Sequence, residues 1–246
     1  MTLTSRTVLI TGAKRIGADV GLALARRGAD VAVSYQRSQV EADALAAAVR
    51  AEGRRALVVQ ADVTQLASCL ALVEAVDRTF GRLDVLINMA SVYHPVRFDD
   101  FDEAEWRRQL GADLDGSFFC ARAAVPLMRK HGGGRIINFS DWLPTSGRPR
   151  YPGYLGYYVA KAGVKALTEA LALELAPDGI LVNAVAPGPM LAPPGTPDVE
   201  LEAVRKATPL GRWGGPEPIV QAVLAFIESD FLTGETIRVD GGRHLA

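Results

Sequence analysis

The stretch Val8-Leu9-Ile10-Thr11-Gly12-Ala13-Lys14-Arg15-Ile16-Gly17 decides how this chain is read. A short apolar run suited to a buried strand ends at Thr11-Gly12. Apolar positions at helical spacing then follow over residues 18–27 and stop at Gly28. A strand that turns into a helix through glycine brings backbone N–H groups to the helix N-terminus, where a pyrophosphate can bind. The unit then recurs. Strands are predicted at 31–33, 56–59, 85–87, from 136, at 181–185 and at 236–239. Helices are predicted at 39–52, 65–80, 103–110, 116–129, 157–176 and 216–229. Such alternation predicts a parallel sheet with right-handed crossovers and helices on both faces.

The 246 residues suffice for one large α/β domain over 1–246. A proline-rich stretch at about 187–218 reads as a surface loop over the substrate, with a short helix near 199–206, and not as a domain boundary. Its 27 Lys+Arg balance 28 Asp+Glu, which argues against a nucleic-acid partner. No apolar stretch is long enough to span a membrane. Cys69 and Cys120 are too few for a disulfide framework, so a reduced, cytoplasmic protein is expected. His94, His131 and His244 lack metal-ligand spacing, so no metal is expected. The acids Asp99, Asp100, Asp102, Glu103 and Glu105 read as the start of a helix, favoured by its dipole.

The second strand leads into Tyr35-Gln36-Arg37-Ser38, with no acid before Glu41. An NAD site would carry Asp or Glu here for the ribose 2′-hydroxyl. Arg37 and Ser38, with Lys14 and Arg15 from the first loop, suit a 2′-phosphate instead, so NADP(H) is the expected cofactor. Asp62 and Val63, after the third strand, stand where an adenine would rest. Tyr157 and Lys161 share one helix face. An ammonium near a phenol lowers the phenol pKa and lets it serve as a proton donor to a substrate receiving hydride.

With these residues in order along the chain, the sequence resembles the short-chain dehydrogenase/reductase family over its whole length. The matching features are Thr11-Gly12 to Gly17, Asp62-Val63, Asn88-Met89-Ala90-Ser91, Tyr157 with Lys161, Asn183 to Pro187-Gly188, Thr233-Gly234 and Asp240-Gly241-Gly242. The resemblance implies a three-layer Rossmann fold with a seven-stranded parallel sheet, a nicotinamide cofactor, a small-molecule substrate and a homodimer or homotetramer. It implies that Tyr157 donates the proton. Lys161 would bind the nicotinamide ribose and lower the Tyr157 pKa. Gly12, Ile16, Gly17, Asn88, Ala90, Ser91, Pro187 and Gly188 would hold the cofactor.

Several positions depart from the family pattern. Arg15 stands where a glycine is usual, Asp113 where an asparagine often sits, Asp141 where the serine is usual, and Ala192 in place of a threonine. These departures resemble the pteridine reductase branch. By that resemblance a pterin stacks on Tyr93, Ser91 hydrogen-bonds the substrate or a cofactor phosphate, Arg15 reaches phosphate and pterin, and Asp141 relays a proton through Tyr157. Trp142 is expected at the pocket mouth, against the substrate. A register shift would instead give the serine role to Ser140. Arg148 and Arg150, with nearby tyrosines, are expected at the pocket mouth, as an anion clamp or a subunit contact. His94 could line the pocket beside Tyr93, and His244 could reach a neighbouring subunit. The expected activity is NADPH-dependent reduction of a C=N or C=O bond. The alternatives are a 3-oxoacyl-thioester or other carbonyl reductase, and a non-catalytic NADP-binding regulator.

Overall fold

The computed structural model describes residues 1–12, 14–147 and 151–246, so the expectations for Arg148 and Arg150 lie outside the described residues. Seven parallel strands form one sheet: β1 (Thr7–Thr11), β2 (Asp30–Tyr35), β3 (Ala56–Gln60), β4 (Val85–Asn88), β5 (Gly134–Phe139), β6 (Ile180–Pro187) and β7 (Thr236–Val239). Their order is β3-β2-β1-β4-β5-β6-β7. The strand order reverses between β1 and β4: β2 and β3 are added on one side of β1, and β4 to β7 on the other. In open α/β sheets that switch point opens a crevice beyond the strand C-termini, where ligands bind.

The period of two along each strand divides the core between two layers. Val8 and Ile10 of β1, Ile87 of β4 and Ile137 of β5 face one side. There α1 (Ile16–Arg26), α2 (Gln39–Ala51) and α9 (Glu217–Glu228) contribute Val20, Leu24, Leu45, Ile219 and Val223. Leu9, Leu86 and Ile136 face the other side. There α3 (Leu66–Phe80), α5 (Gly116–Lys130) and α7 (Leu155–Leu175) contribute Leu72, Val76, Ala124, Met128 and Leu175. This three-layer α/β sandwich is a Rossmann fold. Cys69 and Cys120 meet in the second layer as free thiols, with 3.6 Å between the sulfurs.

The structure differs from the sequence reading at three places. The helix α1 starts at Ile16, earlier than periodicity suggests, because Arg15 at its N-cap takes the left-handed backbone, φ +53°. The helix α4 (Glu103–Leu110) and α5 do not separate; a π-helical turn, Gly111–Asp115, joins them into one rod. A short helix α6 (Trp142–Thr145) follows β5, capped by Asp141, whose Oδ1 accepts from the Leu143 N–H at 2.8 Å. The proline-rich stretch carries α8 (Asp198–Lys206), which buries none of its residues. The acidic cluster is the start of α4, with Asp102 as N-cap accepting from the Glu105 N–H. Among the described residues, no helix is long and apolar enough to cross a membrane, and no group of His, Cys, Asp and Glu could hold a metal ion.

The strand N-termini are tied by buried carboxylates. Asp84 is 2% exposed and accepts from the Thr7 N–H at 2.9 Å, from Arg6 at 2.9 Å and from both ends of the Arg82 fork at 2.7 and 2.8 Å. Burial pushes its pKa up, but Arg82, the Thr7 amide and Arg6 outweigh this and hold it below the usual carboxylate value. A carboxylate with a depressed folded pKa stabilises the fold above the unfolded pKa, and that contribution is lost as pH falls through the folded value. Asp84→Ala is therefore expected to lower the urea-unfolding free energy by about 3 kcal/mol at neutral pH, since it leaves buried donors unpaired. Repeated toward acid pH, the gap between variant and parent should close; a gap independent of pH would contradict this account.

Candidate active site

The strand C-termini border a cleft of about 760 Å³ that runs from the β2 end to α6. Thr11 pins its floor: the hydroxyl accepts from the Met89 and Ala90 amides at 3.0 and 3.2 Å, joining the ends of β1 and β4. Gly17 is required in the first turn, because a Cβ there would stand 2.5 Å from the Gly12 carbonyl oxygen. Gly188 is packed likewise, and its Cβ would meet Asp240 at 2.5 Å.

Nearly every residue singled out from the sequence borders this cleft. At one end are Gly12, Lys14, Arg15, Ile16, Gly17, Tyr35, Arg37, Ser38, Asp62 and Val63. At the other are Ala90, Ser91, Tyr93, Ser140, Asp141, Trp142, Tyr157, Lys161, Pro187 and Gly188. Asn88 is one exception. It is 4% exposed, and its Nδ2 donates to Asn138 Oδ1 at 2.9 Å and to the Ser117 carbonyl at 3.3 Å, so it braces strand ends behind the cleft. His94 does not line the cleft either; it faces Glu105, at 2.8 Å, and Arg108. His244 turns back onto Asp240 of its own chain, 2.7 Å from Oδ2.

The chemical end is built by three elements. Tyr157 and Lys161 lie on α7 and Asp141 at the end of β5. Asp113 lies on the π turn, whose extra residue re-aims side chains, as such turns do at functional sites. The Tyr157 hydroxyl donates to Asp141 Oδ2 at 2.9 Å. The Ser140 hydroxyl instead donates to the Lys161 carbonyl at 2.8 Å, so the geometry puts Asp141, not Ser140, beside the phenol. Lys161 Nζ donates to the Phe139 carbonyl at 2.7 Å and pairs with Asp113 Oδ1 at 2.8 Å. Asp113 is 1% exposed and also accepts from the Ser91 hydroxyl at 2.5 Å and the Val92 N–H at 3.0 Å.

This ion pair overturns one expectation. Lys161 does not bring the phenol pKa down. Burial first, then the charges of Asp141 and Asp113, push the Tyr157 pKa well above that of a free tyrosine. The ammonium that was to favour a phenolate is matched to a carboxylate. Burial also raises the Asp141 pKa, against the Leu143 amide, the Tyr157 hydroxyl and Lys161. A carboxyl raised in this way keeps its proton to higher pH and can pass it to the adjoining phenol. Asp113 stands out in the sequence only as a departure; its partners lie in two segments remote from it, after β4 and on α7, which no local pattern could join.

Two further contacts differ from expectation. The Arg15 guanidinium donates to the Leu191 and Ala192 carbonyls at 2.5 and 3.0 Å, which ties the phosphate turn to the proline-rich loop. Arg15 still borders the cleft while making this tie. Tyr93 meets the Tyr154 ring face to face at 4.6 Å and the Tyr157 ring edge-on at 4.9 Å. The aromatic wall is thus a tyrosine cluster rather than one ring awaiting a substrate. Lys14 pairs with Glu41 at 3.1 Å at the surface.

Because Asp113 raises the Tyr157 pKa, Asp113→Asn should lower it. Spectrophotometric titration of the tyrosinate in Asp113→Asn is expected to show one tyrosine ionising at lower pH than in the parent. An unchanged titration would mean that Asp113 does not govern the phenol.

Residues 12–244 match the sequence model of the family described as enoyl-(acyl carrier protein) reductase. A 3-oxoacyl-(acyl-carrier-protein) reductase of Synechocystis sp. is 37% identical over 245 residues, covering 98% of this chain and 97% of that protein. The enzyme of the same description from Staphylococcus aureus is 36% identical over 247 residues, 98% of this chain and 99% of its own. Among solved structures, acetoin dehydrogenase from Enterobacter cloacae superposes with a TM-score of 0.88 at 35% identity, covering 100% of this chain and 97% of that one. A variant of a Serratia marcescens short-chain dehydrogenase/reductase gives 0.90 at 29% identity, covering 99% and 100%. With its sheet order, its glycine turn and its Tyr157 and Lys161 on one cleft, the chain belongs to the short-chain dehydrogenase/reductase family of oxidoreductases.

Proposed function

We propose that the protein is an NADPH-dependent reductase that delivers hydride to a C=N or C=O bond of a compact ring substrate, a pterin-like ring among them. The observation that carries this reading is Asp141 on the Tyr157 hydroxyl. The cradle fits a dinucleotide: Gly12 has φ +92°, a side chain at Gly17 would close the turn, and Asp62 and Val63 border the far end. Arg37 is exposed on the same rim, and Ser38 makes no capping hydrogen bond at the start of α2, which leaves both for a 2′-phosphate. Bound there, the cofactor would supply the hydride.

The protein's own part is the proton. As charge grows on the substrate nitrogen or oxygen, the Tyr157 hydroxyl releases its proton to that atom and recovers one from Asp141. Burial raises the Asp141 pKa, which favours the protonated carboxyl that such a relay needs. Lys161, with Asp113 as counter-ion, holds the Phe139 carbonyl and the floor of the site and contributes donors toward a ribose. Retention of Tyr157 and Lys161 speaks against a regulator without chemistry. A second reading, reduction of a 3-oxoacyl thioester, has the relatives named above in its favour.

The experiment that separates the readings follows NADPH oxidation with dihydropterins, 3-oxoacyl thioesters and simple diketones. Preference for a dihydropterin supports the first reading; turnover of the thioester alone replaces it with the second. Tyr157→Phe should reduce kcat by at least a thousandfold, the upper part of what a positioned proton donor supplies (about 10²–10⁴), while calorimetry still shows NADPH bound. Arg37→Ala should raise the KM for NADPH by about tenfold or more, as loss of a charged hydrogen bond does. The KM for NADH should stay nearly constant, and equal changes would remove the 2′-phosphate role.

A further inference from the structure

The cations bordering the cleft are largely committed. Lys161 is paired with Asp113, Lys14 with Glu41, and Arg15 is held by two carbonyls. Arg37 lies at the far end, after β2. Among the described residues, this leaves Arg243 at the chemical end, from the turn Arg243–Leu245. Its guanidinium carbon stands 5.9 Å from the centre of the Trp142 ring, next in sequence to Asp141. Its Nη1 is buried and has no hydrogen-bond partner.

The tail is built to put it there. Asp240, 6% exposed, accepts from the Gly242 and His244 amides at 3.0 Å each and faces the His244 ring. The Arg243 N–H bonds the Asp240 carbonyl at 3.1 Å. Gly241 and Gly242 have φ of +62° and +82°, and a side chain at Gly241 would strike Thr208. A desolvated guanidinium donor without an acceptor is costly, and its planar fork matches a carboxylate.

We infer that Arg243 forms an anion subsite on the Trp142 side of the cleft, and that the reducible substrate carries a carboxylate there. The inference rests on the reductase reading above and narrows its substrate class to oxo or imino acids with a planar body.

The test uses the full chain with NADPH and a matched pair of probes, benzoylformate and its methyl ester. The parent should prefer the acid. In Arg243→Leu, the acid-over-ester ratio of kcat/KM should fall about tenfold or more, as loss of a charge-assisted bond implies. Arg243→Lys should restore part of it. An unchanged ratio overturns the inference, even if Arg243→Leu lowers the melting temperature, because a purely structural contact with Trp142 would alter stability and not the ratio. Calorimetry of benzoate and benzamide on the NADPH complex separates the two claims. If benzoate binds the parent but not Arg243→Leu while neither probe is reduced, the subsite stands, and the reductase reading fails only if dihydropterins, 3-oxoacyl thioesters and diketones also leave NADPH unoxidised. If benzoate binds both alike, or neither, the subsite is excluded whatever the turnover.

Discussion

The buried ammonium of Lys161 is the joint on which the chemical end of the fold is assembled. Removing an ammonium from water is expensive, and the interior tolerates it only where acceptors surround it. Here they come from the end of β5, through the Phe139 carbonyl, and from the π turn, through Asp113. The same lysine's own carbonyl receives the Ser140 hydroxyl. Three elements distant in sequence therefore cannot shift independently, and Tyr157, one helical turn before Lys161, inherits their rigidity.

The balance of charge in this joint sets its chemistry. A lone ammonium beside a phenol would make tyrosine the acid. With Asp113 as counter-ion, the local field around Tyr157 is negative and the phenol holds its proton. Burial lifts the carboxyl of Asp141 above its usual value as well. Asp113 and Asp141 thus divide the joint: one carboxylate pairs with the ammonium and the other accepts from the phenol.

Much of this was legible in the sequence, for reasons that differ by residue. The strands and helices could be read because apolar spacing of two or about three and a half residues is a local property. The cleft could be read because glycine at Gly12 and Gly17 answers a local backbone demand. The π turn could not, since Gly111–Asp115 carries no spacing that separates it from an ordinary loop between helices. The Tyr157 pKa was read in the wrong direction because spacing along α7 shows the lysine but not the carboxylate that neutralises it. The family resemblance assigns Asn88 to the cofactor, yet pairing with Asn138 turns it into the sheet. Arg15 was read by charge, whereas its partners lie in a loop far along the chain.

That last contact has a thermodynamic consequence. Arg15 is the N-cap of α1 at one end of the cleft, and its guanidinium is anchored on Leu191 and Ala192 in the proline-rich loop. Any ligand that draws Arg15 away from those carbonyls loosens the loop, and any ligand that orders the loop steadies the helix start. Linkage makes the two effects equal in free energy. The two halves of the cleft are therefore not independent compartments: one side chain sets an exchange rate between occupancy at one end and order at the other.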